Sequence, residues 1–190
     1  MYVIGMNGPP RSGKDTLAHG LAAIIEDKHE IQSQLLALSQ PMRDTVYAML
    51  GLQYSQTHYE QNKDSSQPGL HGATIREAMI AVSEEHVKPR YGREFWNHAL
   101  WNRIWPDCKV LIITDYGFQF EPEWFEGLVG AENHLTIQIH RTARTYAGDS
   151  RSYVTSENML LVTNNGILDT VPRVVQNLYA ELVSQLGWKF

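Results

Sequence analysis

Short apolar runs alternate along the chain with longer stretches in which apolar residues recur every three or four positions, and these two periods separate strands from helices. Residues 2–6 read as a buried strand. Over 15–27, Leu17, Leu21, Ala22, Ile24 and Ile25 fall at helical spacing, which predicts a helix with one face on a sheet. Residues 35–38 form a short second strand, after which Pro41 opens a helix carrying Met42, Val46 and Met49 that Gly51 ends. Residues 53–72 are polar and aperiodic, so no structure is assigned to them; a connection of this kind is usually a binding lid or a mobile insert. Thr74 with Glu77 makes a capping box for a helix bearing Ile75, Met79, Ile80 and Val82. A further helix over 92–104 places Trp96, Ala99, Leu100, Arg103 and Ile104 on one face, and Pro106 stops it. Strands follow at 109–115, 135–139 and 159–163. A last helix, behind a cap at Asp169, lines up Val171, Val174, Val175, Leu178, Leu182, Val183 and Leu186.

Strands separated by helical segments cannot be joined by hairpins, so the pattern predicts an α/β fold with a mostly parallel central sheet covered on both faces. Ligands then bind at the carboxyl ends of the strands. The 190 residues, 43% hydrophobic and 19% charged, suit one domain with one core. A net charge of −5 disfavours a nucleic-acid coat or an anionic-membrane binder, because both need a basic face. The single cysteine, Cys108, reads as a buried strand thiol, which excludes a disulfide framework. With no basic leader and no apolar run of membrane length, the expectation is a soluble, cytoplasmic protein.

The strongest chemical signal is Gly8-Pro9-Pro10-Arg11-Ser12-Gly13-Lys14-Asp15-Thr16, a G-x-x-x-x-G-K loop set between a buried strand and an amphipathic helix. Glycines let such a backbone curl so that successive N–H groups converge on a phosphate, and the helix N-terminus adds partial positive charge. Lys14 supplies a mobile cation for the β and γ oxygens of ATP. Gly8, Arg11, Ser12, Gly13, Lys14, Asp15 and Thr16 are therefore the expected ATP-binding residues. The position after the lysine is usually Ser or Thr; here it is Asp15, with Thr16 next. A carboxylate there can hold Mg²⁺ directly or through water, while the plainer reading of Asp15 is a helix N-terminal acid. The strand 109–115 ends in Asp115, placed to reach Mg²⁺ or the phosphoryl acceptor unless it only forms a turn.

No Asn-Lys-x-Asp guanine reader is present, and the acidic pair usual at the end of a motor ATPase's second motif is missing. The histidines have no metal-ligand spacing, so zinc is not expected. After the strand 135–139, the stretch 140–151 carries Arg141, Arg144 and Arg151 with Gly148, and is read as a lid over 140–157. Arg141 and Arg144 are the leading candidates for bracketing a transferred phosphoryl group, since guanidinium matches phosphate oxygens in pairs. Asn164-Asn165-Gly166 follows the last strand, close to where adenine should sit; it also has the composition of a turn and helix cap.

Taken together, the loop ending Gly-Lys-Asp-Thr, the segment Thr74-Ile75-Arg76-Glu77-Ala78 running through Tyr91-Gly92-Arg93-Glu94-Phe95-Trp96, the strand ending Thr114-Asp115, and Leu161 to Gly166 resemble a bacteriophage-type deoxynucleoside monophosphate kinase. The resemblance spans most of the chain. It implies a three-layer α/β/α P-loop kinase fold of 1–190, with an acceptor-binding helical region at about 51–105. It also implies transfer of the ATP γ-phosphoryl group to a dNMP with Mg²⁺, in a protein that is often a homodimer. Arg76, Ser83, Trp96, Asp115 and Glu121 stand where that family keeps acceptor residues. Arg76 would clamp the acceptor phosphate, Trp96 would stack on a base or serve the core, and Ser83 and Asp115 would hydrogen-bond the nucleotide. The family's Asp-x-Arg-x-x-x-Glu pattern reads here with Gly117 in place of the arginine, so Arg43, Lys88, Arg90 or Arg93 would have to supply that charge. Two other readings stay open: another small-molecule P-loop kinase, such as one resembling dephospho-coenzyme A kinase, and a nucleotide-binding switch without an acceptor.

Overall fold

The computed structural model describes residues 1–166 and 170–188, apart from the side chains of 185 and 186. The expected cap at Asp169 and the side chain of Leu186 lie outside the described residues. The chain divides into two compact units, Met1–Ala37 with Ile104–Phe190, and Leu38–Arg103.

The first unit is built on a five-stranded sheet of β1 (Tyr2–Asn7), β2 (Ser33–Leu36), β3 (Val110–Tyr116), β4 (His134–His140) and β5 (Met159–Thr163). All neighbours are parallel, in the order β2-β3-β1-β4-β5. The chain leaves β1 to one side for β2 and β3 and returns on the other for β4 and β5, so strand order reverses at β1 and a crevice opens beyond its carboxyl end. Helix α1 (Lys14–His29) packs Leu17, Ala18, Leu21 and Ile25 onto Ile4, Met6, Ile112 and Ile137. Helix α8 (Val171–Leu186) adds Val175, Leu178 and Leu182 to the same core. Gly20 lets α1 and α8 close on each other, since a Cβ there would lie 2.7 Å from Val175 Cγ2.

Helix α7 (Phe120–Val129) packs against β1 and β4. Its Phe125 meets the ring of Tyr116, which lies over Gly5 with no room for a Cβ between them. Sequence periodicity does not reveal α7, because its buried positions are Glu121, Pro122 and Phe125, only one of which is an ordinary helix-core residue. Pro122 is harmless in the first turn, where its missing N–H would have no partner.

The second unit is helical, with α2 (Gln40–Met49), α3 (Gln56–Asn62), α4 (Ile75–Ile80), α5 (Lys88–Tyr91) and α6 (Phe95–Trp101). Val46, Tyr47, Tyr59, Ile75, Ala78 and Met79 form its core. The expected capping box is present, with Thr74 Oγ1 accepting from Glu77 N and the Glu77 carboxylate accepting from Thr74 N at 2.8 Å. Three expectations need correction. Residues 53–72 are not structureless: Ser55 caps α3, and buried Tyr59 anchors that helix to the core. The helix expected over 92–104 is shorter, because Gly92, at φ 92°, ends α5 and forces a break before Phe95. Cys108 precedes β3 instead of lying in it, half-buried in a turn in which Cys108 N donates to Trp105 O. Between α4 and α5, Ala81–Val87 widens into a π-helical turn that carries buried Ser83, a device often found where a helix must re-aim a side chain.

Candidate functional site

Loop 8–13 leaves the carboxyl end of β1 and turns tightly into α1. Gly13 sits at φ 98° and Arg11 at φ 63°, both left-handed, which reverses the chain within a few residues. A Cβ on Gly13 would come within 2.3 Å of Asn164 Nδ2, and one on Gly8 within 2.7 Å of Ile139 O, so both glycines answer to crowding as well as to curvature. Asn164 Nδ2 donates to Ser12 O at 2.8 Å, tying the turn after β5 to the loop. Asn165 Oδ1 accepts from Thr142 N at 2.7 Å, tying the same turn to the stretch after β4.

The Lys14 side chain folds back over the loop and donates from Nζ to Gly8 O at 2.7 Å and Pro9 O at 3.0 Å. It is buried, and burial followed by the nearby Arg151 charge pulls its pKa below the ordinary lysine value, while Asp15, Asp115 and Asp149 oppose the shift. Ser12 Oγ is buried with no hydrogen-bond partner among the described residues. A curled loop, first-turn N–H groups of α1 without intrahelical partners, a lysine and an unpartnered hydroxyl together make a cradle for phosphate oxygens. Asp15, Thr16 and Asp115 are hard oxygen donors of the kind Mg²⁺ prefers, and two carboxylates suffice for it beside water and phosphate. The loop therefore fits phosphate oxygens; among the described residues no three His, Cys, Asp or Glu side chains form a group that could hold a metal, so an ion here would take most of its ligands from water and phosphate.

The two halves of the stretch after β4 are held differently. Its second half is pinned by Asn7, a fully buried amide that sequence reading passed over. Asn7 Nδ2 donates toward Tyr116 O at 2.9 Å, Tyr146 Oη at 3.0 Å and Ser152 O at 3.0 Å, while Asn7 Oδ1 accepts from Val154 N at 3.1 Å. Tyr146 Oη also accepts from Gly8 N at 2.9 Å, and burial pushes the phenol up to about 12. The first half is more open: Ala143 is left-handed at φ 61°, Arg144 is exposed, and Arg141 Nη1 reaches Arg11 O only at 3.5 Å. A cavity of about 410 Å³ opens here, lined by His140, Arg141, Arg144, Tyr153, Thr163 and Asn165. His140 and Tyr153 stack at its wall with centroids 4.4 Å apart.

Among the other expected site residues, Asp115 lies half-buried near the Lys14 ammonium. Glu121 spends its carboxylate on its own turn, accepting from Gly117 N at 2.7 Å and Phe118 N at 2.9 Å. The remaining ones belong to the helical unit. Trp96 is buried, its Nε1 donating to Ser83 Oγ at 3.0 Å, and Ser83 Oγ in turn donates to Glu84 Oε1 at 2.9 Å. That leaves the indole as a core side chain and commits the serine hydroxyl at both ends. Arg76 pairs with Asp64 at 2.7 Å and Lys88 with Glu84 at 2.6 Å, while the Arg43 guanidinium lies 4.6 Å from the centre of the Tyr59 ring. Arg90 and Arg93 are exposed. The Arg76–Asp64 pair is solvent-facing and contributes about 0–1 kcal/mol, whereas Lys88 and Arg43 are part-buried.

No family model and no curated protein matches the chain. Solved structures do. A gluconokinase from Sinorhizobium meliloti 1021 superposes with a TM-score of 0.53 at 10% identity, over 98% of this chain and 95% of that one. The APE1195 structure gives 0.49 at 17% identity over 96% of this chain and 95% of that one. A hexameric APS kinase from Thiobacillus denitrificans gives 0.45 at 15%, and there the chain covers 98% of its own length but 29% of the other. The gluconokinase likeness concerns the fold alone, which in this chain is a five-stranded parallel sheet covered by helices. No helix among the described residues is long and apolar enough to cross a membrane.

Proposed function

We propose that the protein is an ATP-dependent small-molecule kinase, and that its acceptor is a deoxynucleoside 5′-monophosphate. The observation that carries the kinase reading is the 8–16 loop at the reversal point of the sheet, with Lys14 Nζ curled over its carbonyls at 2.7 Å and 3.0 Å. In this reading Lys14 exchanges those carbonyls for phosphate oxygens, and the first turn of α1 presents its N–H groups to the same oxygens. Asp15, Asp115 and Thr16 would hold Mg²⁺, which neutralises charge on the β- and γ-phosphates. Arg141 and Arg144, on the open half of the stretch after β4, bring cations to the transferred group; Asn164 and Asn165 shape the turn beside the loop. The acceptor reading rests on the resemblance to deoxynucleoside monophosphate kinases and on the cationic side chains of the helical unit, Arg43, Arg76, Lys88 and Arg90. The gluconokinase likeness supports a second reading, a kinase with a non-nucleotide acceptor.

A coupled assay of ADP formation with MgATP decides between them. It is run with dAMP, dGMP, dCMP, dTMP, their ribose counterparts, gluconate, and no acceptor. Turnover confined to nucleoside monophosphates supports the first reading, and turnover with gluconate alone selects the second. ADP released without acceptor refutes both in favour of a nucleotide-hydrolysing switch. Lys14→Ala is expected to lower turnover by at least about 100-fold with an unchanged far-ultraviolet circular dichroism spectrum. Unchanged turnover in that variant rejects the assignment of the loop.

A further inference from the structure

Arg151 is an arginine that the kinase reading leaves without a task, yet the structure invests heavily in its position. Its backbone is fixed on both sides. Arg151 N donates to Asp149 Oδ1 at 3.0 Å, and the next residue, Ser152, donates from N to Gly117 O at 2.9 Å and accepts from Asn7 Nδ2 at 3.0 Å. Its aliphatic stem lies flat on Gly117, where a Cβ would stand 2.5 Å from Arg151 Cδ and Cγ and 2.9 Å from Cβ. Gly117 does not have a left-handed backbone, so conformation does not demand glycine there; the space taken by Arg151 does. The head group is held by Asp149 in a two-point pair, Nε to Oδ1 at 2.9 Å and Nη2 to Oδ2 at 2.6 Å. Nη1 makes no hydrogen bond to a described residue.

Asn7, the residue just before the loop, donates to Ser152 O at 3.0 Å, and Gly8 N donates to Tyr146 Oη at 2.9 Å, so the segment bearing Arg151 is tied to the start of the Lys14 loop; there the guanidinium opposes the Lys14 charge and attracts Asp115. Holding two cations close together in a partly buried place is unfavourable for the protein alone, and an anion between them reverses the sign. The fold supplies that arrangement from two separate segments, the loop after β1 and the stretch after β4. Resting on the nucleotide-site reading above, we propose that Arg151 is a second phosphate-binding cation of the Lys14 cradle, seated by Gly117 and aimed by Asp149. Unlike Arg141 and Arg144, it is in place before ligand arrives. With Nε and Nη2 taken by Asp149, Nη1 is left for the polyphosphate chain that Lys14 binds, so Arg151 adds affinity for the donor and not for the acceptor.

The test is calorimetric titration of the full-length protein with inorganic tripolyphosphate and with ATP, at fixed ionic strength. Arg151→Ala is expected to weaken tripolyphosphate binding about tenfold. Gly117→Ala, which removes no charge and only displaces the stem, should lose nearly as much. The double variant should lose no more than Arg151→Ala alone, because both changes remove one interaction. Arg151→Lys keeps the charge and the stem, secures the measurement against a folding defect, and should recover part of the affinity. Arg173→Ala, exposed on α8, controls for bulk charge and should bind as the parent does. If Lys14→Ala abolishes binding while Arg151→Ala and Gly117→Ala bind normally, the role of Arg151 is refuted and the nucleotide-site reading stands. Additive losses in the double variant also refute it. If the parent protein binds neither tripolyphosphate nor ATP, the nucleotide-site reading itself fails and this one with it.

Discussion

Asn7→Ala tests the arrangement on which the site depends. The Asn7 amide is completely buried and serves four groups: Tyr116 O, Tyr146 Oη and Ser152 O accept from it, and Val154 N donates to it. Truncation leaves the Tyr116 carbonyl and the Val154 N–H in buried surroundings without their partner, whereas the Ser152 and Tyr146 contacts are only part-buried and can turn to water. A buried polar group left unpaired costs about 1–3 kcal/mol, so two such groups predict a loss of about 2–6 kcal/mol. That is a large share of the roughly 5–15 kcal/mol available to a domain. Urea denaturation should show the midpoint falling by about 1–3 M with an unchanged slope, taking a slope of about 2 kcal/mol per M. Amide exchange adds a local reading: Val154 N–H and Gly8 N–H should lose protection by more than the global destabilisation explains, since both depend on this hub directly or through Tyr146. A loss below about 1 kcal/mol, with Val154 still protected, would show that something other than Asn7 holds residues 146–154 against β1.

Two further outcomes follow from buried groups in the sheet. His134 is fully buried at the start of β4, with Tyr116 Oη 3.2 Å from its Nε2 and Glu126 Oε1 3.3 Å from its Nδ1, and burial pulls its pKa down from 6.5 to about 4. Because the folded value is depressed, the stability it confers is complete above the unfolded value and is lost as pH falls from about 6.5 towards 4, by up to about 3 kcal/mol. The pH dependence of unfolding of the parent against His134→Gln measures this, and an imidazole that titrates near 6.5 by NMR contradicts it. Gly5→Ala would set a methyl 1.8 Å from Tyr116 Cε2 and 2.1 Å from Cδ2 in a closed core. Overpacking of that severity should cost at least about 3 kcal/mol in thermal or urea unfolding, and Tyr116→Leu in the same chain should recover part of it; a neutral Gly5→Ala rejects the packing described.

The sheet is legible in the sequence because parallel strands buried on both faces must be continuously apolar, as Val110 to Ile113 are. The 8–16 loop is legible because its signal is local: a glycine and a lysine side by side, between a buried strand and an amphipathic helix, match the left-handed turn that Gly13 adopts. Local chemistry also announces the Thr74 cap, whose partners lie three residues apart. What escapes reading is whatever depends on a single distant contact. Helix α3 has no apolar stripe and stands because one residue, Tyr59, reaches a core built from α2 and α4. Helix α7 hides behind a proline that only its position in the first turn makes harmless. Arg151 is the sharpest case. Gly117 is visible in the sequence as the absence of an arginine from a pattern, and the natural search for a replacement charge turns to Arg43, Lys88, Arg90 and Arg93. The fold seats Arg151 on that glycine instead, 34 positions further along the chain, so that the missing side chain and the one lying in its space form one feature. A glycine that needs no special backbone angle is thus informative for what lies against it, and at Gly117 that neighbour is an arginine stem whose head group Asp149 holds at two points.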